Sequence, residues 1–220
     1  MNPEGRVVVE IVGEGKTDIG ETSGAESPST GVLPILVHAL CGKPQGMRVK
    51  RKRYEHLQKG SLERKANFAR RQARYNGSDG VVFVVDSEGG EKERKDKKRD
   101  LERGRDTASD AVPMAIGVAH PCIEAWLLAD PAAIRRACRL GSDPQVPSAP
   151  EQLSAPRCDA NQNPKTALRR AARTRHPVEA AVMWRMAASI QDLDVLRNGC
   201  PLGFAPFAAE VGQRIRSLFH

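Results

Sequence analysis

Two short runs of mostly β-branched residues, Arg6–Val12 (RVVVEIV) and Gly80–Val85 (GVVFVV), each pass directly into a turn that mixes glycines with carboxylates. Near-continuous apolar runs of this length suit strands buried on both faces, as in a parallel sheet, rather than strands with one wet side. A parallel sheet needs crossover connections, and the intervening sequence supplies them. Val32–Leu40 reads as a helix capped by Ser29 or Thr30, with Pro34 tolerated in its first turn. Met47–Arg53 reads as a basic edge strand, and Leu62–Tyr75 as a helix closed by Asn76-Gly77. A charged helix is predicted from Glu91 to about Ala108, and a last strand over Val112–Val118. Strands alternating with helices predict an α/β fold with a parallel sheet.

After residue 118 the pattern changes. Pro121–Ala129 (PCIEAWLLA) has helical spacing and ends at Asp130-Pro131. Residues 141–164, rich in Pro, Ser, Gln and Asn, read as an irregular connection. Helices are predicted from Pro164 to Arg173, over Val178–Ile190 and over Pro206–Leu218. The expected organisation is an α/β core over 1–118 and a helical C-terminal part over 119–220 that packs on it.

In parallel α/β sheets ligands gather outside the carboxyl ends of the strands. Glu14 follows the first strand, and Asp86 and Glu88 follow the third. If the backbone stays extended, Asp86 and Glu88 share one side of the chain. Three converging carboxylates repel unless a cation holds them, and Mg²⁺ accepts a few carboxylate oxygens while keeping waters or phosphate oxygens. Such an ion can polarise a phosphodiester and activate water, so Glu14, Asp86 and Glu88 are candidate metal ligands. The segment Gly13-x-Gly15-Lys16-Thr17 lacks the glycine spacing of a Walker A loop, which excludes that type of ATPase.

Val12-Gly13-Glu14-Gly15-Lys16-Thr17-Asp18 resembles the first Toprim motif, and Val82-Phe83-Val84-Val85-Asp86-Ser87-Glu88 resembles the second, with Glu88 where many members have Asp. His120-Pro121-Cys122-Ile123-Glu124-Ala125-Trp126-Leu127-Leu128-Ala129-Asp130 resembles the signature of a Toprim-like group called domain of unknown function 4276. Asn163-Pro164-Lys165, Cys200-Pro201, Phe204 and Phe207 resemble its later landmarks. This resemblance implies a Toprim/Rossmann-like parallel sheet flanked by helices, acids that work with Mg²⁺ (Mn²⁺ as an alternative), and an AAA/ABC-type ATPase partner in an OLD-nuclease-like arrangement. It also raises Glu124 to a site residue, because a carboxylate on an otherwise apolar helix is costly unless paired or on a metal. Glu14, Asp86, Glu124 and Lys165 are therefore the catalytic candidates, with Lys165 placed to meet phosphate charge. His120 has a capping or packing role as its simpler explanation.

The chain carries a formal charge of +8, which favours polyanionic partners. Residues 48–74 hold eleven Lys/Arg against Glu55 and Glu63. Lys16, Arg48, Lys50, Arg51, Lys52, Arg53, Arg70 and Arg71 are accordingly the nucleic-acid-binding candidates, through phosphates rather than bases. Residues 91–106 alternate eight basic with six acidic residues, which i,i+4 pairing on a solvated helix explains. Cys41, Cys122, Cys138, Cys158 and Cys200 have neither zinc-ligand spacing nor an even count, which predicts reduced thiols. Asn2-Pro3-Glu4 does not open a secretory leader, and no apolar run approaches the ~20 residues of a membrane span. A cytoplasmic protein is expected, with oligomeric state left open. The leading function is a metal-dependent nuclease, or the Toprim effector subunit of a two-component anti-phage defence system. The alternative is a non-catalytic module that binds nucleic acid or an ATPase. Primase-like nucleotidyl transfer ranks last, because no zinc module or nucleotide-handling domain accompanies the acids.

Overall fold

The structure is a computed structural model that describes residues 6–21, 26–107, 112–153 and 162–220. Asn2-Pro3-Glu4, Ala108, Cys158, residues 22–25 of the turn after Glu14 and the middle of the 141–164 connection lie outside the described residues. Four strands form one parallel sheet: β1 (Val7–Gly13), β2 (Met47–Arg53), β3 (Gly80–Asp86) and β4 (Met114–Ala119), in the order β2-β1-β3-β4. The basic strand β2 lies at the edge, as its charge predicts. Ten α-helices complete the described part: α1 (Lys16–Ile19), α2 (Val32–Leu40), α3 (Leu62–Tyr75), α4 (Glu91–Asp106), α5 (Ile123–Leu128), α6 (Pro131–Cys138), α7 (Pro164–Ala171), α8 (Ala180–Ser189), α9 (Leu193–Gly199) and α10 (Phe204–Arg214). The fold is α/β with a helical C-terminal region.

Side chains alternate across the strands, so each strand feeds two cores. Val82 and Val84 join Val9 and Ile11 on the face covered by α2 and the C-terminal helices. Val81, Phe83 and Val85 face Ala66, Ala69 and Ala73 of α3 and Leu101 of α4 on the other. Both faces are dry, which is why these strands read as apolar runs. Trp126 is fully buried against Phe204 and Phe207, each 5.3 Å away between ring centroids, so α5 and α10 share one aromatic seam. Arg105, on α4, ties the other layer to this region by reaching Glu210 at 3.0 Å.

Two expectations are corrected. The N-cap of α2 is Gly31 and not Ser29 or Thr30. Its φ is 89°, and a Cβ there would stand 2.3 Å from the Ile19 carbonyl carbon, so close approach to α1 decides the residue. The break at Asp130-Pro131 is a helix start: Asp130 accepts from the Ala133 amide at 2.9 Å and Pro131 opens α6. Helix α9, also absent from the periodicity, is capped likewise by Asp192. The connection over 141–164 contains only a 3₁₀ turn at Pro150–Gln152 among the described residues. Buried Glu151 holds it by accepting from the amides of Leu202 and Gly203 at 2.6 and 2.7 Å. No helix among the described residues is long and apolar enough to cross a membrane.

Helices α3 and α4 touch through small residues. A Cβ on Gly104 would lie 2.2 Å from the Glu63 carbonyl oxygen and 2.7 Å from Ala66 Cβ. Gly→Ala inside a helix ordinarily stabilises by roughly 0.5–1 kcal/mol. Here Gly104→Ala should instead destabilise by about 1–3 kcal/mol, because the helices must separate. Urea denaturation of the two proteins measures this, and a gain in stability would contradict the packing.

Candidate acid-cluster site

In a sheet of order β2-β1-β3-β4, the connections leave β1 and β3 in opposite directions, and a crevice opens between their carboxyl ends. Glu14 and Asp86 stand there. The β1–β3 ladder runs to Val12 opposite Phe83, and beyond it a side chain takes over. Glu14 Oε1 accepts from the Asp86 amide at 3.0 Å. Asp86 Oδ1 in turn accepts from the Ile123 amide at the start of α5, at 3.1 Å. This places Glu124, the next residue of α5, beside Asp86.

Oxygen atoms of Asp86 and Glu124 and the Cys122 sulfur all lie within 4.8 Å of one another. Asp18 closes the group: its Oδ2 accepts from the amides of Glu14 and Gly15 at 3.2 and 3.1 Å, its charge acts on Asp86, and the charges of Glu124 and Glu14 act on it. Four carboxylates from three parts of the chain thus converge. Burial, reinforced by Asp18, Glu124 and Glu14, holds the Asp86 carboxyl well above the usual range. Burial also pushes Asp18 up to about 6, and raises Glu14 with Glu88 adding to it. Lys165 supplies the opposing charge, with Nζ 3.9 Å from Glu124 Oε1, and its own pKa is raised chiefly by Glu124. The Asn163 side-chain Oδ1 caps the Lys165 amide at 2.8 Å and so sets where the lysine leaves α7.

Glu88 does not share the side of Asp86. Its φ is 55°, so the chain has left the extended conformation, and its side chain is 64% exposed with Lys97 Nζ at 3.7 Å. It remains close enough to raise Glu14, but it stands at the rim. His120 is buried with Nδ1 2.9 Å from Ser87 Oγ, which fits packing beneath the turn.

Three residues escaped the sequence reading as site members. Asp18 was visible inside the first motif, four residues after Glu14. Lys97 belongs to a run that pairing alone explains, yet its Nζ donates to the Asp86 carbonyl at 2.7 Å. Cys122 carried no signal, because its partners come from other segments. Burial, with Glu124 and Asp86 beside it, keeps its thiol protonated far above the usual range.

The donor set suits a hard divalent cation. Glu124 Oε2 is buried without a hydrogen-bond partner, and the neighbouring carboxylates are driven towards protonation in the absence of positive charge. A cation satisfies both. Asp86 and Glu124 are the residues placed to hold it, with the charges of Glu14 and Asp18 beside them, and a neutral Cys122 thiol does not call for a soft metal.

The basic candidates lie elsewhere and are mostly engaged. Arg48 pairs with Glu26 at 3.3 Å, Arg53 with Glu55 at 3.5 Å, and Lys16 with Glu21. Lys50 donates to the Asn76 carbonyl at 2.6 Å, and Lys52 to Gln72. Both lysines also offset Glu10, a carboxylate buried on β1. Arg51 holds the Ser27 and Thr30 carbonyls, and Arg70 those of Val112 and Arg105. Arg71 is exposed on α3.

Because the Asp18 pKa is raised from 3.8 to about 6, its contribution favours the fold in full below pH 3.8 and is lost as pH rises through 6. Asn at this position keeps the two amide bonds and removes the charge. Asp18→Asn should therefore raise the Tm of metal-free protein at pH 8 by roughly 5 °C, with the gain vanishing below pH 4. Millimolar Mg²⁺ should narrow the difference. Scanning fluorimetry across pH tests this, and a gain independent of pH would refute the charge argument.

The family model described as domain of unknown function (DUF4276) matches residues 29–211, which include Asp86, Glu124 and Lys165 but not Glu14 or Asp18. No curated protein and no solved structure matches the chain. With the match covering most of its length, the chain belongs to the DUF4276 family.

Proposed function

We propose that this protein is a Mg²⁺- or Mn²⁺-dependent nuclease of Toprim type, the effector subunit of a two-component defence system whose other component is an AAA/ABC-type ATPase. The observation that carries the reading is the convergence of Glu14, Asp18, Asp86 and Glu124 at the β1/β3 crevice, with Lys165 beside them. A structural role does not call for four acids gathered in one crevice, where burial and the neighbouring carboxylates raise Asp18 and Asp86. A site that receives a cation and a phosphate does.

A divalent ion held by these acids would polarise a phosphodiester and activate water. The chain's own groups supply the rest. Glu14 and the Ile123 amide fix the backbone and carboxylate of Asp86, so its free oxygen keeps one direction. Glu124 has an oxygen without a partner, placed to orient water. Lys165, exposed yet held near Glu124, meets the phosphate and balances its growing charge. The resemblance of the two acidic motifs to Toprim supports nucleic acid as the substrate class, and that of the 120–130 segment supports the ATPase partnership.

Purified protein, with and without its ATPase neighbour, should cut DNA or RNA in Mg²⁺ or Mn²⁺. Asp86→Ala and Glu14→Ala should each lower the rate by at least about 100-fold, with folding checked by circular dichroism. Glu88→Ala should cost far less, since that side chain stands at the rim. Titration calorimetry should show Mn²⁺ binding that Asp86→Asn abolishes. Nucleic-acid binding untouched by these substitutions, with no cleavage under any condition, would leave a binding module instead.

A further inference from the structure

We infer that the nucleic-acid strand reaches the acid cluster along a groove between α6, α7 and α8, and not across the basic edge strand β2. This inference rests on the nuclease reading. The groove is a hollow of about 940 Å³, lined by Arg136, Arg139, Arg185 and His176, with Glu179 among them. A smaller hollow of about 160 Å³ is lined by Glu124, Lys165 and Arg169. Pro177 and Val178 line both hollows, so the two adjoin. The path therefore runs from Glu124 and Lys165, past Arg169, to Arg139 and Arg185.

Charge supports a polyanion in it. Residues 164–185 contain six Lys/Arg (165, 169, 170, 173, 175, 185) against Glu179 alone. Arg139, Arg169 and Arg185 make no ion pair among the described residues, and Arg139 and Arg185 are exposed. This differs from the 48–74 cluster, where Arg48, Lys50, Arg51, Lys52, Arg53 and Arg70 are bound to acceptors of the same chain. Arginines that must break no internal bond to meet a phosphate bind it at lower cost.

The groove is also fixed relative to the acids. Arg136 donates to the Ser189 carbonyl at 3.1 and 2.8 Å, joining α6 to α8. The Trp184 indole donates to the Thr17 carbonyl at 2.9 Å, joining α8 to the turn that carries Glu14 and Asp18. A phosphate seated at Lys165 therefore has its neighbours along the strand directed to the unpaired arginines by one rigid frame. Contacts of this kind hold the backbone without choosing sequence.

The test is fluorescence anisotropy of labelled single-stranded and duplex oligonucleotides with the full chain in EDTA, over a range of salt. The triple variant Arg139→Ala/Arg169→Ala/Arg185→Ala should weaken binding at least roughly tenfold and flatten the slope of log Kd against log salt by about 2–3. The corresponding triple Lys variant should retain the slope, and unchanged Tm values would show that the groove still folds. Arg48→Ala/Arg53→Ala should change Kd by less than about twofold. Absence of binding by the natural protein, loss that follows Arg48/Arg53, or a triple Ala variant that binds normally would each overturn the track; the last result is also what an acidic protein partner in the groove would give. Cleavage in Mg²⁺ that survives the triple substitution removes the track and keeps the nuclease reading. Groove-dependent binding with no cleavage does the reverse.

Discussion

The structure turns on a carboxylate that has to be buried where two strands part. Asp86 ends β3 inside the crevice beside β1, and its surroundings are acidic on three sides. Backbone amides make this tolerable. Ile123 donates to Asp86, Asp86 donates to Glu14, and Glu14 and Gly15 donate to Asp18. Two of these bonds tie the end of β3 to the turn after β1 and to the start of α5, and the other two close that turn on α1, so the acids hold the carboxyl end of the sheet together while they repel one another. A site of this kind has stored affinity for positive charge, because a cation relieves a penalty that folding has already imposed.

That penalty is carried by the packing beneath it. The two cores on either face of the sheet leave no polar alternative for β3, and the seam of Trp126, Phe204 and Phe207 seats α5, whose Glu124 stands beside Asp86. Arg105 and Glu210 connect the layers at some distance from the acids. The C-terminal helices thus complete the site as well as cover the sheet: one carboxylate, one lysine and the anchor of the first turn all come from them.

Charge in this chain has two uses that composition cannot separate. The 48–74 cluster is the densest basic segment, yet its members mostly answer local needs: Lys50 and Lys52 offset buried Glu10, while Arg51 and Arg70 satisfy loop carbonyls. The arginines of the later helices are sparser in sequence and interrupted by alanines; Arg136, Arg139 and Arg185 gather only because α6 and α8 meet at one hollow, and Arg169 of α7 lines the adjoining one. Density along a sequence measures neighbours in the chain; availability to a ligand depends on what already occupies each side chain.

The parallel sheet, its edge strand and most helices were legible in the sequence because each is a local pattern: apolar runs for strands buried on both faces, helical spacing, and Asn76-Gly77 or Pro164 as boundaries. Helices α1, α6 and α9 were not: α1 is a single turn among glycines, and short helices with aspartate caps such as α6 and α9 resemble turns until the chain is seen to continue. Glu14 and Asp86 could be placed from strand ends alone, and Glu124 mostly from the resemblance of its segment, supported by its cost on an apolar helix. Their distances, the inclusion of Asp18 and Cys122, and the departure of Glu88 to the rim depended on a positive φ at residue 88 and on contacts between distant segments. A sequence determines which residues end a strand or cap a helix, since those choices are made within a few bonds. Which carboxylates then share one crevice is decided only when the sheet order brings β1 beside β3 and the C-terminal helices close over them.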